Sequence, residues 1–269
     1  MADAVNNTTC SVGASALSTE LRYTILALWA VFFVVSFHCA WAAFQFCWPR
    51  FLSFNVSRQA DNCSRVNSTI HALIVAPALL YGIGTTSWSS TLEPQDSSSF
   101  LQATILVSLG YLIVDLFVVI IYRVPMWVIF AIHHTMALVP YLLYYFTSCN
   151  YGLYILSAYM LVEITNVPLN AMEWMREAGN IDGLVYPLLL HLTAAMWVVF
   201  RMASPLCCLY VTYKIYLPSV NYPICLWPSQ VCGVLVNVFC FAGFFVVIVK
   251  NISEYWRRPA NSETAKPLM

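Results

Sequence analysis

Two adjacent histidines, His133 and His134, stand in a run from Trp127 to Leu138 that is otherwise apolar apart from Thr135. An ionisable side chain at membrane depth is costly and nearly always faces a cavity or a partner rather than lipid. An imidazole in such a place can take a proton from an attacking group or carry an acyl group covalently. Neighbouring helical residues point about 100° apart, so the two rings cannot both face one small site. One ring is then the reactive candidate and the other a supporting or interhelical contact. For either ring, simple packing or hydrogen bonding between helices is the competing reading.

Further polar residues recur at matching depth. Asp115 lies eight residues before Arg123, and His133 lies eight after Pro125. If Arg123-Val124-Pro125 is a tight turn, the helical rise puts both roughly 12 Å from it, so Asp115 can pair with His133 or His134. Such a carboxylate would favour the imidazolium or select one tautomer of the neutral ring. Glu163, Asn166 and Asn170 are spaced i, i+3, i+7 and share one helix face. His71, His191 and Arg201 enter from other apolar segments. A metal held by His71, His133 and Glu163 lacks any supporting ligand spacing. For Arg201, neutralising a lipid headgroup competes with snorkelling to the interface or bonding carbonyls freed by Pro205. His38, between Phe37 and Cys39, reads as a packed histidine or a helix contact.

The elements that must position these groups are membrane spans. The chain is 61% hydrophobic and 9% charged, whereas soluble domains carry roughly 25% charged residues. Apolar runs about 20 residues long fit helices rather than a β-barrel. Seven spans are predicted: Thr24–Phe46, Val66–Gly84, Leu101–Tyr122, Met126–Phe146, Tyr151–Met172, Leu184–Tyr213 and Pro228–Lys250. The second is interrupted by Pro77 and Gly82.

With the amino terminus lumenal, Arg50, Arg58, Arg65, Arg123, Arg176, Lys250, Arg257, Arg258 and Lys266 fall on the cytosolic side. Arg22 and Lys214 fall on the other, a bias that orients the chain with its carboxyl terminus in the cytosol. The sequons at Asn6 and Asn7 are then lumenal and open to glycosylation. Those at Asn55, Asn62, Asn67 and Asn251 lie on the wrong side. The first 20 residues lack the pattern of a cleaved signal, so the first span serves as an anchor. The ten cysteines form no C-x-x-C pair, and a Cys149–Cys225 bridge requires both loops to face an oxidising lumen. Residues from Pro259 onward read as a disordered tail. Without a basic cluster, no nucleic acid is expected as partner.

In order along the chain stand Asn62-Cys63-Ser64-Arg65-Val66-Asn67-Ser68-Thr69-Ile70-His71, Gly110-Tyr111-Leu112-Ile113-Val114-Asp115, Ile132-His133-His134, Glu163-Ile164-Thr165-Asn166-Val167-Pro168 and Arg201-Met202-Ala203. This ordered set resembles the TLC-domain family, the membrane fold shared with ceramide synthases, and within it the small TLC domain-containing proteins of the type-4 branch. The resemblance implies an all-α polytopic bundle of about seven spans, six forming a barrel around a cytosol-facing cavity. It divides the chain into residues 1–57 (tail, first helix and linker), a TLC domain at 58–250 and a tail at 251–269. By the same likeness His133 and His134, with Asp115 beside them, stand at an acyl-transfer site. His71, Glu163, Asn166, Asn170, His191 and Arg201 would line the substrate.

Asn166 stands where that signature has an aspartate, and the residues that follow, Leu169-Asn170-Ala171-Met172, differ from its continuation. That difference ranks the readings. First comes a protein of membrane lipid homeostasis that binds a lipid or acyl chain in an intramembrane cavity, in the endoplasmic reticulum or another endomembrane. Second is an acyltransferase using an imidazole as base or acyl carrier, with acyl-CoA as co-substrate, its phosphates met by Arg65, Arg123 and Arg176, and no other cofactor. A secretory-route cargo adaptor or chaperone is third, and the tail from Asn261 carries no dibasic retrieval motif.

Overall fold

The computed structural model describes residues 17–96, 98–146, 152–219 and 227–257. They form helices; the β-pairing among them is a single bridge, Trp88 to Pro94, in a loop. Helix α1 (Thr19–Cys47) is started by Ser18, whose hydroxyl accepts the Leu21 N–H, and stops ahead of Pro49. A 3₁₀ turn (Pro49–Ser53) leads to α2 (Val56–Thr85), whose N-cap Asn55 accepts the Arg58 N–H at 2.9 Å. α3 (Ser99–Tyr122) ends at Arg123 in the left-handed region, φ 47°, which folds the chain directly into α4 (Trp127–Phe146).

After Gly152 (φ 86°) come α5 (Leu153–Met160), a 3₁₀ turn (Leu161–Thr165) and α6 (Asn166–Ala178), which closes on Gly179 (φ 83°). Helices α7 (Val185–Ile215) and α8 (Trp227–Trp256) complete the bundle. α7 widens into a π turn at Trp197–Ala203 and runs at its end into another, Thr212–Tyr216, and α8 widens at Phe244–Val249.

Among the described residues six helices (α1 to α4, α7 and α8) are long and apolar enough to cross a membrane. Their outward faces carry Val31, Phe117, Leu188, Val238 and Val246 exposed, an apolar exterior that only lipid would solvate. The chain is therefore a multi-pass integral membrane protein. The fifth expected span, Tyr151–Met172, is not one long helix. It is split where the 3₁₀ turn carries Glu163, and its second half, α6, is polar. The second span begins at Val56 rather than Val66, because the Asn55 cap lets helix start in a polar stretch that hydropathy alone reads as loop. The tail sequons, the Cys149–Cys225 pair and the tail from Pro259 lie outside the described residues.

α3 is the central helix: 72% of its apolar stretch is buried, against 17% for α1. Leu101, Ile105, Leu106 and Leu109 of α3 are wholly buried with Phe33 of α1 and Leu79 of α2. Gly110 permits the closest approach. A Cβ there would meet Trp29 Cβ at 2.9 Å and the Ala30 backbone nitrogen at 3.0 Å. Asn62, Asn67 and Asn251, all sequon residues, are buried.

Candidate intramembrane site

Helix α3 carries Asp115 inward, and α2 and α4 bring groups to it. His134 Nε2 lies 2.9 Å from Asp115 Oδ2, and the Ser64 hydroxyl donates to Oδ1. The pairing expected from equal depth is formed, and of the two rings His134 makes it. The carboxylate orients this ring, while His134 Nδ1 is buried with no hydrogen-bond partner among the described residues.

A second polar centre sits beside it. His71, 0% exposed, lies against Ser108 Oγ at 3.0 Å through Nε2 and faces Glu163 Oε2 at 3.7 Å through Nδ1. Tyr111 stacks on its ring, centroids 4.2 Å apart. Glu163 also accepts the Asn166 side-chain N–H at 2.7 Å. Arg201 donates to Thr165 Oγ1 and to Asn166 Oδ1, with its guanidinium 4.7 Å over Trp197. It is 6% exposed, so it pairs internally rather than snorkelling. The π turn of α7 is the local reason: its extra residue per turn re-aims Arg201 inward.

Toward the arginine-rich end, α2 and α6 interlock. Asn170 donates to the Arg65 carbonyl (3.1 Å) and to Thr69 Oγ1 (3.0 Å), while Arg65 bonds Asp61 at 3.0 Å. Glu177 receives Arg58 at 2.9 Å and Asn62 at 2.7 Å, and Glu173 pairs with Arg176. Arg65 and Arg176 are thus occupied within the protein.

His133 differs from its neighbour. Its ring stacks on Phe239 of α8 at 4.5 Å, and it makes no hydrogen bond among the described residues. With Glu163 it borders a void of about 70 Å³ between α4, α5 and α8, room for several waters or the end of one chain. The other walls are almost wholly apolar, including Leu112, Met136, Leu156 and Val236. Pro140 lies in the wall and has no N–H to offer the Met136 carbonyl, which loosens α4 there. The void runs from His133 toward the end of α4 remote from Arg123, whereas the resemblance implied an opening at the arginine-rich end.

Asp115, His134, His71, Glu163, Asn166, Asn170 and Arg201 therefore share one buried region, and His133 adjoins it. His191 does not join them. It is exposed on α7, its Nδ1 on the Pro187 carbonyl at 2.7 Å, because the α7 face that packs inward carries Leu190 and Thr193 instead. His38 is likewise exposed, its ring against Phe37. Sequence reasoning missed Ser64, Ser108, Thr165 and Tyr159; small hydroxyls and single tyrosines are too common in spans to stand out. Among the described residues no group of three or more His, Cys, Asp or Glu is arranged to hold a metal. The arrangement can hold an oriented imidazole, present a second, unbonded one to an apolar void, and satisfy a polar group there.

No curated protein and no solved structure matches this chain. The family model described as the TLC domain matches residues 61–257, from the first turns of α2 to the end of α8, and takes in every member of the polar cluster. With most of its length so matched, the chain belongs to the TLC-domain family.

Proposed function

We propose that the protein binds a membrane lipid by an acyl chain in the void between α4, α5 and α8, and so acts in membrane lipid homeostasis. The carrying observation is that His133 and Glu163 stand at the inner end of a void whose walls are mostly apolar. Hydrocarbon walls suit a chain, and the two polar residues suit the group it carries. An endomembrane of the secretory route, the endoplasmic reticulum first, is the setting, with the amino terminus lumenal and the carboxyl terminus cytosolic as the arginine bias suggests. Within the family the small type-4 branch is the placement that the ordered residues favour.

A second reading, acyl transfer from acyl-CoA to an amine or hydroxyl, is supported by the Ser64–Asp115–His134 chain, in which a carboxylate orients an imidazole. In that reading His133, beside the void, meets the acyl group and His134 supports it. The departure at Asn166 keeps it second.

Native mass spectrometry of the purified protein tests the first reading. The wild type is expected to retain a lipid, and Met136→Trp, which fills the void, to lose it. Equal retention by both proteins, or by neither, removes the proposal. Turnover of acyl-CoA abolished by His133→Ala would move the second reading into first place.

A further inference from the structure

Tyr159 of α5 borders the same void, and its hydroxyl is buried with no hydrogen-bond partner among the described residues. A phenol that gives up water without receiving an acceptor costs free energy, so such an orphan in a cavity wall calls for a partner. His133, also in the wall, has a buried Nδ1 without a hydrogen-bond partner among the described residues. Facing the phenol stands Gly233 of α8. A Cβ at that position would lie 2.7 Å from the Tyr159 hydroxyl oxygen and 3.2 Å from its ring carbon Cζ. Any larger residue there would drive the phenol out of its seat.

We propose that Tyr159 is a polar anchor of the void that donates its hydroxyl to a carbonyl oxygen of the bound lipid, and that Gly233 seats it. The inference rests on the lipid-binding reading above and adds the chemical class of the ligand: an acyl ester or amide rather than a bare hydrocarbon or an amine. Tyr159 is four residues before Glu163, across a junction of α-helix and 3₁₀ turn. That separates the two levels by roughly 6–8 Å along the axis. The ligand's carbonyl therefore sits one turn away from the end that reaches Glu163 and His133. An acceptor-only oxygen is the group the phenol proton lacks, and it is the polar atom that every acylated lipid carries beside its chain.

The full-length protein in nanodiscs is challenged with four probes of one chain length: methyl octadecanoate, N-methyl octadecanamide, octadecylamine and octadecane. Tyr159→Phe, which removes only the hydroxyl, is expected to weaken the ester and amide about tenfold and leave octadecane unchanged. Gly233→Ala is expected to weaken all four, since it displaces the ring; if that variant fails to fold, Tyr159→Phe decides alone. Equal effects of Tyr159→Phe on all probes, no effect on any, or a selective loss of the amine overturns the proposal while the lipid-binding reading stands. Failure of the wild type to hold any probe overturns both.

Discussion

A carboxylate buried in hydrocarbon persists only where donors surround it, and Asp115 is 4% exposed with His134 on one oxygen and Ser64 on the other. Removing it strands a buried imidazole. Asp115→Ala is expected to lower stability by about 2–3 kcal/mol. Asp115→Asn, which keeps an acceptor for the ring and a donor for the serine, should cost about 1 kcal/mol. Thermal melting in detergent distinguishes the two; equal melting points for the wild type and both variants would show that the pair contributes nothing. The depth of this pair was legible in the sequence because helical rise per residue is constant and the Arg123–Pro125 turn supplies a common origin. The choice between His133 and His134 was not. It depends on the rotation of α4 about its own axis, which packing against Phe239 and Asp115 decides.

Between elements, close approach and broken helix shape the site more than hydropathy does. At Gly110 the backbone of α1 lies within 3.1 Å of where a Cβ would stand, so Gly110→Ala must push α1 and α3 apart. A loss of about 1–3 kcal/mol is expected. Gly84, near the end of α2, has nothing within 4 Å, and Gly84→Ala should be neutral or stabilising by up to about 1 kcal/mol. Denaturation of the two variants side by side measures the contrast, and matching values would refute the tight α1–α3 crossing. The broken fifth span belongs to the same scale. Its apolar run announces one helix, yet the 3₁₀ turn at Leu161–Thr165 gives Glu163 and Thr165 their bearings toward His71 and Arg201. The π turn in α7 does the corresponding service for Arg201. Neither irregularity has a period that apolar spacing can reveal.

On the scale of the whole molecule, loop 86–96 folds over the end of the bundle toward which the void runs. Trp88 meets Tyr154 edge-on at 5.1 Å, Leu92 packs with Ile155 and Cys208, and Glu93 accepts the Gly152 N–H at 3.3 Å. Burial raises the Glu93 carboxyl to about 7, against the opposing pull of the Gly152 bond. The folded form therefore holds this proton more tightly than the unfolded chain. Its contribution to stability is full below the ordinary carboxylate range and is lost as pH rises through about 7. Melting of the wild type is expected to fall between pH 5 and pH 8 by more than that of Glu93→Gln; parallel curves would disprove the coupling. Residue order and hydropathy were enough to establish immersion in the membrane, the run of long helices and the family. They also brought Asp115 to the depth of the histidine pair and set Glu163, Asn166 and Asn170 on one helix face, because rise and spacing act along one dimension. Which imidazole meets the carboxylate, which borders the void, toward which end that void runs, and that His191 turns outward were settled only by three-dimensional packing. Azimuth around a helix and the filling of space between helices have no counterpart in a linear string of residues.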